Sequence, residues 1–116
     1  MHSSVLFLVT EDPRRSPRPA EAIRIAAGIA PWRKTEILVY LRDAAVLLLA
    51  ETAEDLVEGD SLGRYLPILA ELGRPICVQG DTPFRAELRN SPVRFEMIGD
   101  ADLARLAANS DYVARF

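Results

Sequence analysis

Val5-Leu6-Phe7-Leu8-Val9 is apolar at every position. A strand with one wet face alternates apolar and polar residues, whereas a strand covered on both faces does not, and such strands belong to parallel sheets sandwiched between helices. The run therefore predicts a central parallel strand. Beyond it, Thr10 to Pro19 holds Pro13, Pro17 and Pro19 among mixed charges, a composition that excludes strand and helix interior and predicts a long loop. Pro19 suits the first turn of a helix, and Ala22, Ile23, Ala26, Ala27 and Ala30 recur at helical spacing, predicting a helix over 19–30.

The same reading extends along the chain. Thr35 to Leu41 is rich in β-formers and apolar on both sides around Ile37, Leu38, Val39 and Tyr40, predicting a second buried strand. Asp43 stands where it would cap a short helix through Ala44 to Ala50. That segment is apolar nearly all round, so it belongs either deep in the fold or against another subunit, and oligomerisation is an expectation on this ground. Glu51 to Asp55 is an acidic surface segment. A helix beginning at Asp60 or Ser61 carries Leu62, Tyr65, Leu66, Leu69 and Leu72 on one stripe, with Gly73 placed to end it and Pro67 expected to bend or break it. Pro75 to Gln79 is the third strand and carries Cys77. A short helix over 83–89, a turn at Asn90-Ser91-Pro92, a fourth strand over 93–97, a helix over 102–108 and a fifth strand over 112–116 complete the pattern. Strands alternating with helices predict an α/β fold: a three-layer α/β/α sandwich around a mostly parallel five-stranded sheet with right-handed crossovers.

At 116 residues the chain matches one ordinary domain, able to bury a core without metals or disulfides. Hydrophobic residues make up 49% and charged ones 27%, the profile of a globular protein. A formal charge of -3 argues against a nucleic-acid-binding surface. One cysteine cannot close an intramolecular disulfide or build a thiolate metal site, and the lone histidine, His2, sits at a terminus, so neither a metal nor another cofactor is expected. The run Val5 to Val9 is too short for the hydrophobic part of a signal peptide, and no segment reaches the ~20 apolar residues that span a bilayer. A cytoplasmic protein without membrane contact is the expectation.

Cys77 is the residue with the most chemistry. It lies where a buried apolar run gives way to Gly80-Asp81-Thr82-Pro83, near the carboxyl ends of parallel strands where ligands bind in such sheets. From the residues alone it is either a small buried hydrophobe or a reactive thiol. Amides at the start of the following helix and the Arg85 guanidinium would favour the thiolate, and the Asp81 carboxylate would oppose it. With His2 as the only histidine, no Cys-His catalytic pair can be built. Arg14, Arg15 and Arg18 form a candidate anion-binding loop or else a solvated charged loop, because arginine forks suit phosphate, sulfate or carboxylate. The topology is expected to gather Arg14, Arg15, Arg18, Cys77, Asp81 and Arg85 at one edge. Glycine-rich phosphate signatures are absent. Glu11-Asp12 and Glu54-Asp55 read as surface charge, and Trp32 as a cover for the end of the sheet.

With these residues on the page, the chain resembles the DsrE/DsrF-like family, whose TusD-type members pass persulfide sulfur between proteins. The resemblance spans almost the whole length, 1–116, as a single domain. It rests on the first strand Val5 to Thr10 with its polar loop, the alanine-rich helix from Ala20 to Ala30, and the apolar Ala45-Val46-Leu47-Leu48-Leu49 after the second strand. Pro75-Ile76-Cys77-Val78 and the closing Ser110-Asp111-Tyr112-Val113-Ala114-Arg115-Phe116 complete it. The resemblance implies that Cys77, at the end of the third strand, accepts a persulfide, that donor and acceptor proteins are the partners, and that the chain assembles as an oligomer, expected here as a homo-oligomer. It departs from the family after Cys77, where Gly80-Asp81-Thr82-Pro83 stands in place of a neutral stretch followed by basic residues, with Arg85 and Arg89 as partial replacements. The alternative expectation is an oligomeric subunit or small-anion-binding module of the same fold without sulfur chemistry.

Overall fold

The computed structural model describes residues 3–72 and 75–116; Gly73, expected to end the second helix, and His2 lie outside them. The strands are β1 (Ser3–Val9), β2 (Thr35–Leu41), β3 (Ile76–Gln79), β4 (Phe95–Ile98) and β5 (Tyr112–Arg115), and the α-helices are α1 (Arg18–Ile29), α2 (Gly59–Glu71) and α3 (Asp100–Asn109). All four strand pairings are parallel, in the order β4-β3-β2-β1-β5. The fold is the α/β/α sandwich expected, with Val5, Leu6 and Phe7 of the interior strand β1 in register with Ile37, Leu38 and Val39 of the central β2.

Handedness decides which helix lies on which face. The chain walks in one direction from β1 to β4, so right-handed crossovers place α1, α2 and the β3–β4 connection on the same side of the sheet. It then reverses, passing from β4 back across the sheet to β5, and the same handedness places α3 on the other side. The first side holds the larger core, in which Ile23 and Ala26 of α1 and Leu62 and Leu66 of α2 meet Val9, Val39, Leu41 and Val78 of the sheet. On the second side Leu6, Leu38 and Tyr40 are buried, with the half-buried Leu103 and Leu106 of α3 packed on them. No residue of α3 is fully buried.

Two short segments differ from expectation. The short helix expected through Ala44 to Ala50 is a 3-10 helix over Asp43–Leu49, and Asp43 does not cap it. Asp43 adopts φ 55, a left-handed conformation that a short polar residue tolerates, and its backbone N–H donates to Oε1 of Gln79 at 2.9 Å. The segment lies deep in the monomer, with Val46, Leu48 and Leu49 fully buried, so its apolar surface is consumed within the chain. The second case is the helix expected over 83–89, which is a 3-10 turn at Arg85–Leu88. There Oγ1 of Thr82 accepts from the Phe84 N–H at 3.1 Å, a local turn that competes with helix.

The helix α2 runs through Pro67 without a break. Pro67 is exposed, which leaves the carbonyl that its missing N–H would have satisfied on the wet side of the helix. At its start Gly59 packs directly on the preceding turn, where a Cβ would stand 2.2 Å from the Glu54 carbonyl oxygen. Only glycine fits that approach.

Candidate functional site around Cys77

Strand parity places the thiol. Side chains alternate along β3, so Ile76 and Val78 enter the larger core while Cys77 faces α3. Cys77 is the second residue of β3, with two more strand residues before the polar turn, and it is half-buried. Tyr40 of β2 and Glu96 of β4 are its register neighbours. The thiol lines an open groove of about 630 Å3 between α3 and the β3–β4 side of the sheet. Leu38, Ile98 and Leu106 give the groove an apolar floor, and Glu96, Asp102 and Arg105 supply its charges.

The other candidates lie elsewhere. Arg14 is held by Asp12 through a fork, Nε to Oδ1 and Nη2 to Oδ2, both at 3.0 Å, and its guanidinium lies 5.8 Å from the centre of the Phe84 ring. It borders a separate cavity of about 550 Å3 together with Glu51, Asp55 and Glu87, an acidic lining unsuited to an anion. Arg18 pairs with Glu11 at 3.0 Å, donates to the Arg115 carbonyl at 3.0 Å and lies 5.3 Å from the centre of the Phe116 ring. Arg15 is exposed, and its backbone N–H donates to the Asp12 carbonyl at 3.1 Å. Arg85 borders a third cleft with Arg89, Ser91 and Phe95. Phe95 packs with the larger core, so the sheet itself stands between that cleft and the thiol. The six residues expected at one edge are thus divided among different surfaces.

The mouth at the carboxyl ends of β1 and β5 is filled by the chain. The N–H groups of Thr10 and Glu11 both donate to the Phe116 carbonyl, at 2.9 and 3.2 Å, and the Phe116 ring stacks on Phe7 with centroids 5.7 Å apart. Space for a reaction partner lies along the α3 face instead. Arg105 and Asp102 bond to each other across one turn of α3, and the Asp102 carboxylate also accepts from the Gly99 N–H at 3.4 Å. Sequence reasoning passed over Arg105; its signal was the i,i+3 pairing with Asp102 on a helix whose other face is apolar.

Tyr40 is the second polar group on this face. It has no exposed surface, and its hydroxyl makes no hydrogen bond among the described residues. Burial pushes the phenol above its ordinary pKa, the Arg42 guanidinium works against the shift, and Asp100, Asp81 and Asp43 add to it. Arg42 itself pairs with Asp100 at 3.6 Å over this corner. At the loop, the Arg14 fork holds the Asp12 carboxyl below the usual carboxylate range. Among the described residues no group of three or more His, Cys, Asp or Glu is placed to hold a metal ion, and no helix is long and apolar enough to cross a membrane.

Comparison with solved structures shows the same fold in the ychN protein of E. coli. The two superpose with a TM-score of 0.79 over 100% of each chain, at 18% sequence identity. No family model matches the chain, and no curated protein matches it in sequence. At that identity the likeness establishes the fold: five parallel strands with helices on both faces, shared from end to end.

Proposed function

We propose that this protein is a persulfide carrier in which Cys77 is the sulfur acceptor. The observation that carries the reading is the position of the chain's single thiol, half-buried in the wall of an open groove on the thinly covered face of the sheet. A carrier needs a thiol that a partner's sulfur can reach while bulk water is partly excluded, and this groove meets both needs. The full-length likeness to the ychN fold supports the fold side of the DsrE-like resemblance. The donor and the acceptor are then proteins that present a cysteine to the groove, in the cytoplasm.

The chemistry requires no metal or organic cofactor. The Cys77 thiolate attacks the outer sulfur of a donor persulfide; the new S–S bond forms as the donor's S–S bond breaks, and the electron pair leaves on the donor thiolate. Cys77 then carries a persulfide, and an acceptor thiolate attacks its outer sulfur in turn. Arg105, paired with Asp102, is the positive charge on the groove wall, and the apolar floor of Leu38, Ile98 and Leu106 limits loss of sulfur to water.

The test is intact-mass analysis after incubation with a persulfide donor, with Cys77→Ser alongside. A gain of one sulfur, removed by reductant and absent in the variant, is expected. Loading that persists in a folded Cys77→Ser protein would end this reading. No loading of the wild type, under conditions that load another carrier, would leave Cys77 as a packing residue of the α3 face. The anion-binding alternative draws little support from the arginine loop, where Arg14 and Arg18 are already bound to Asp12 and Glu11.

A further inference from the structure

The sheet ends in two edges, β4 and β5, and they are finished differently. Edge strand β4 carries the exposed charge of Glu96 at its middle, the usual guard against strand-to-strand association. Edge strand β5 reads Tyr112-Val113-Ala114-Arg115, with Tyr112 68% and Val113 42% exposed. Two exposed apolar side chains on one short edge call for an explanation.

The backbone of β5 is open on that side at Val113, while the Arg115 carbonyl accepts from Arg18 and the Asp111 N–H donates to the Ser4 carbonyl, both at 3.0 Å. The Phe116 N–H donates to Leu8 and the Phe116 carbonyl accepts from Thr10, both at 2.9 Å, so the peptide groups of Phe116 face β1. Alternation along a parallel ladder then turns those of Val113 and Arg115 away from β1, toward the edge. The charges flanking Val113 are of opposite sign. Asp111 lies two residues before Val113 and Arg115 two residues after it, and both are exposed. Arg115 makes no ion pair among the described residues, and only Oδ2 of Asp111 is used, by the N–H and hydroxyl of Ser4.

We propose that β5 pairs antiparallel with β5 of a second copy of this chain about a two-fold axis at Val113, joining the two sheets into one. In that register Val113 lies opposite Val113 of the second copy, and Asp111 lies opposite Arg115 at both ends. Val113 and Arg115 share the face of their β1 partners Leu6 and Leu8, the α3 side, so each cross-strand ion pair forms on one face. The charge pattern selects this arrangement over its competitors. Parallel pairing of two copies sets Asp111 against Asp111, and an antiparallel register moved by one residue to either side separates Asp111 from Arg115. The inference is independent of the chemistry at Cys77.

The experiment is sedimentation equilibrium over a concentration series, with Cys77→Ser in every sample so that the native thiol cannot cross-link. A mass rising from 12.8 kDa toward twice that value is expected. Val113→Lys sets two ammonium groups against each other at the axis, and should raise the dimer Kd at least about tenfold with an unchanged circular dichroism spectrum. Arg115→Asp, which opposes carboxylates at both ends, should act in the same direction and is the second variant should lysine disturb the fold. Val113→Cys should cross-link the dimer on oxidation, because directly opposed residues of an antiparallel pair lie about 5.5 Å apart, within disulfide reach; Tyr112→Cys should not. A protein that stays monomeric up to about 200 µM overturns the proposal, since an interface that weak would not define an assembly. So does a dimer indifferent to both charge variants, or one that cross-links through Tyr112→Cys and not through Val113→Cys.

Discussion

The two faces of the sheet are built to different standards. Against one face α1 and α2 pack with Pro19, Ala20, Ala22, Ile23, Ala26 and Ala27 of α1 all buried, and the 3-10 segment Asp43–Leu49 is sunk into the same core. Against the other stands α3 alone, with no fully buried residue. The difference comes from topology: three connections travel one way and one returns, and handedness sends the single returning helix to the opposite side. The thick face supplies the stability, and the thin face leaves the thiol within reach. The largest expected effect tests this division directly. Leu62→Ala, at a fully buried site under α2, should cost about 3 kcal/mol, whereas Leu106→Ala under α3 should cost about 1 kcal/mol, read from urea midpoints at constant m-value. Equal costs would break the comparison and show that the α3 face is covered in solution by something outside the monomer.

Much of this architecture is legible in the residues. β1 and β2 show themselves because they are apolar without alternation, and helix α1 because its alanines recur at helical spacing between prolines. The apolar run Ala44 to Ala50 announces burial and not the type of helix, which is 3-10 over Asp43–Leu49. What fixes that turn is the side chain of Gln79, 36 residues away, which no local pattern reveals. Cys77 stood out as the single thiol, but its face did not. That depends on the parity of β3 and on the return of β5 to the far side of β1, and without both facts the arginine loop reads as a neighbour of Cys77. Arg105 was passed over for the same reason, since α3 becomes a wall of the groove only once its side of the sheet is known.

Tyr40 sharpens the comparison at the next level of effect. A buried hydroxyl without a partner among the described residues forfeits hydrogen bonds it makes in the unfolded chain, a cost of about 1–3 kcal/mol when complete. Tyr40→Phe should therefore leave stability at pH 7 unchanged or raise it by about 1 kcal/mol. The pH dependence has a definite sign. Burial raises the phenol's pKa in the folded state, so above pH ~10 the unfolded chain gives up this proton while the folded one retains it, and stability falls as pH rises. The wild type should lose more stability than Tyr40→Phe between about pH 9 and pH 11 in paired urea titrations. Parallel alkaline limbs would mean that Tyr40 titrates alike in both states. Destabilisation by Tyr40→Phe at pH 7 would mean that the hydroxyl is well bonded in solution and that the thin face is better ordered than its burial indicates.

The smallest effect separates stability from reactivity on the thin face. Arg105 and Asp102 form an exposed pair one turn apart on α3, and pairs of this kind contribute about 0–1 kcal/mol. Arg105→Ala should scarcely move the urea midpoint. Any consequence should appear at Cys77, because Arg105 lines the same groove. In water-like surroundings two unit charges about 6 Å apart interact by about 0.7 kcal/mol, roughly threefold in rate, and by less as salt is added. Comparing two alkylating reagents isolates that charge: the ratio of iodoacetate to iodoacetamide rates at Cys77 should fall about threefold in Arg105→Ala at low salt, and the difference should shrink at high salt. A ratio that does not change would show that Asp102 already neutralises Arg105 toward the groove. The thin face would then offer the thiol access without electrostatic help, and recognition of an anionic sulfur donor would have to come from the donor's own surface.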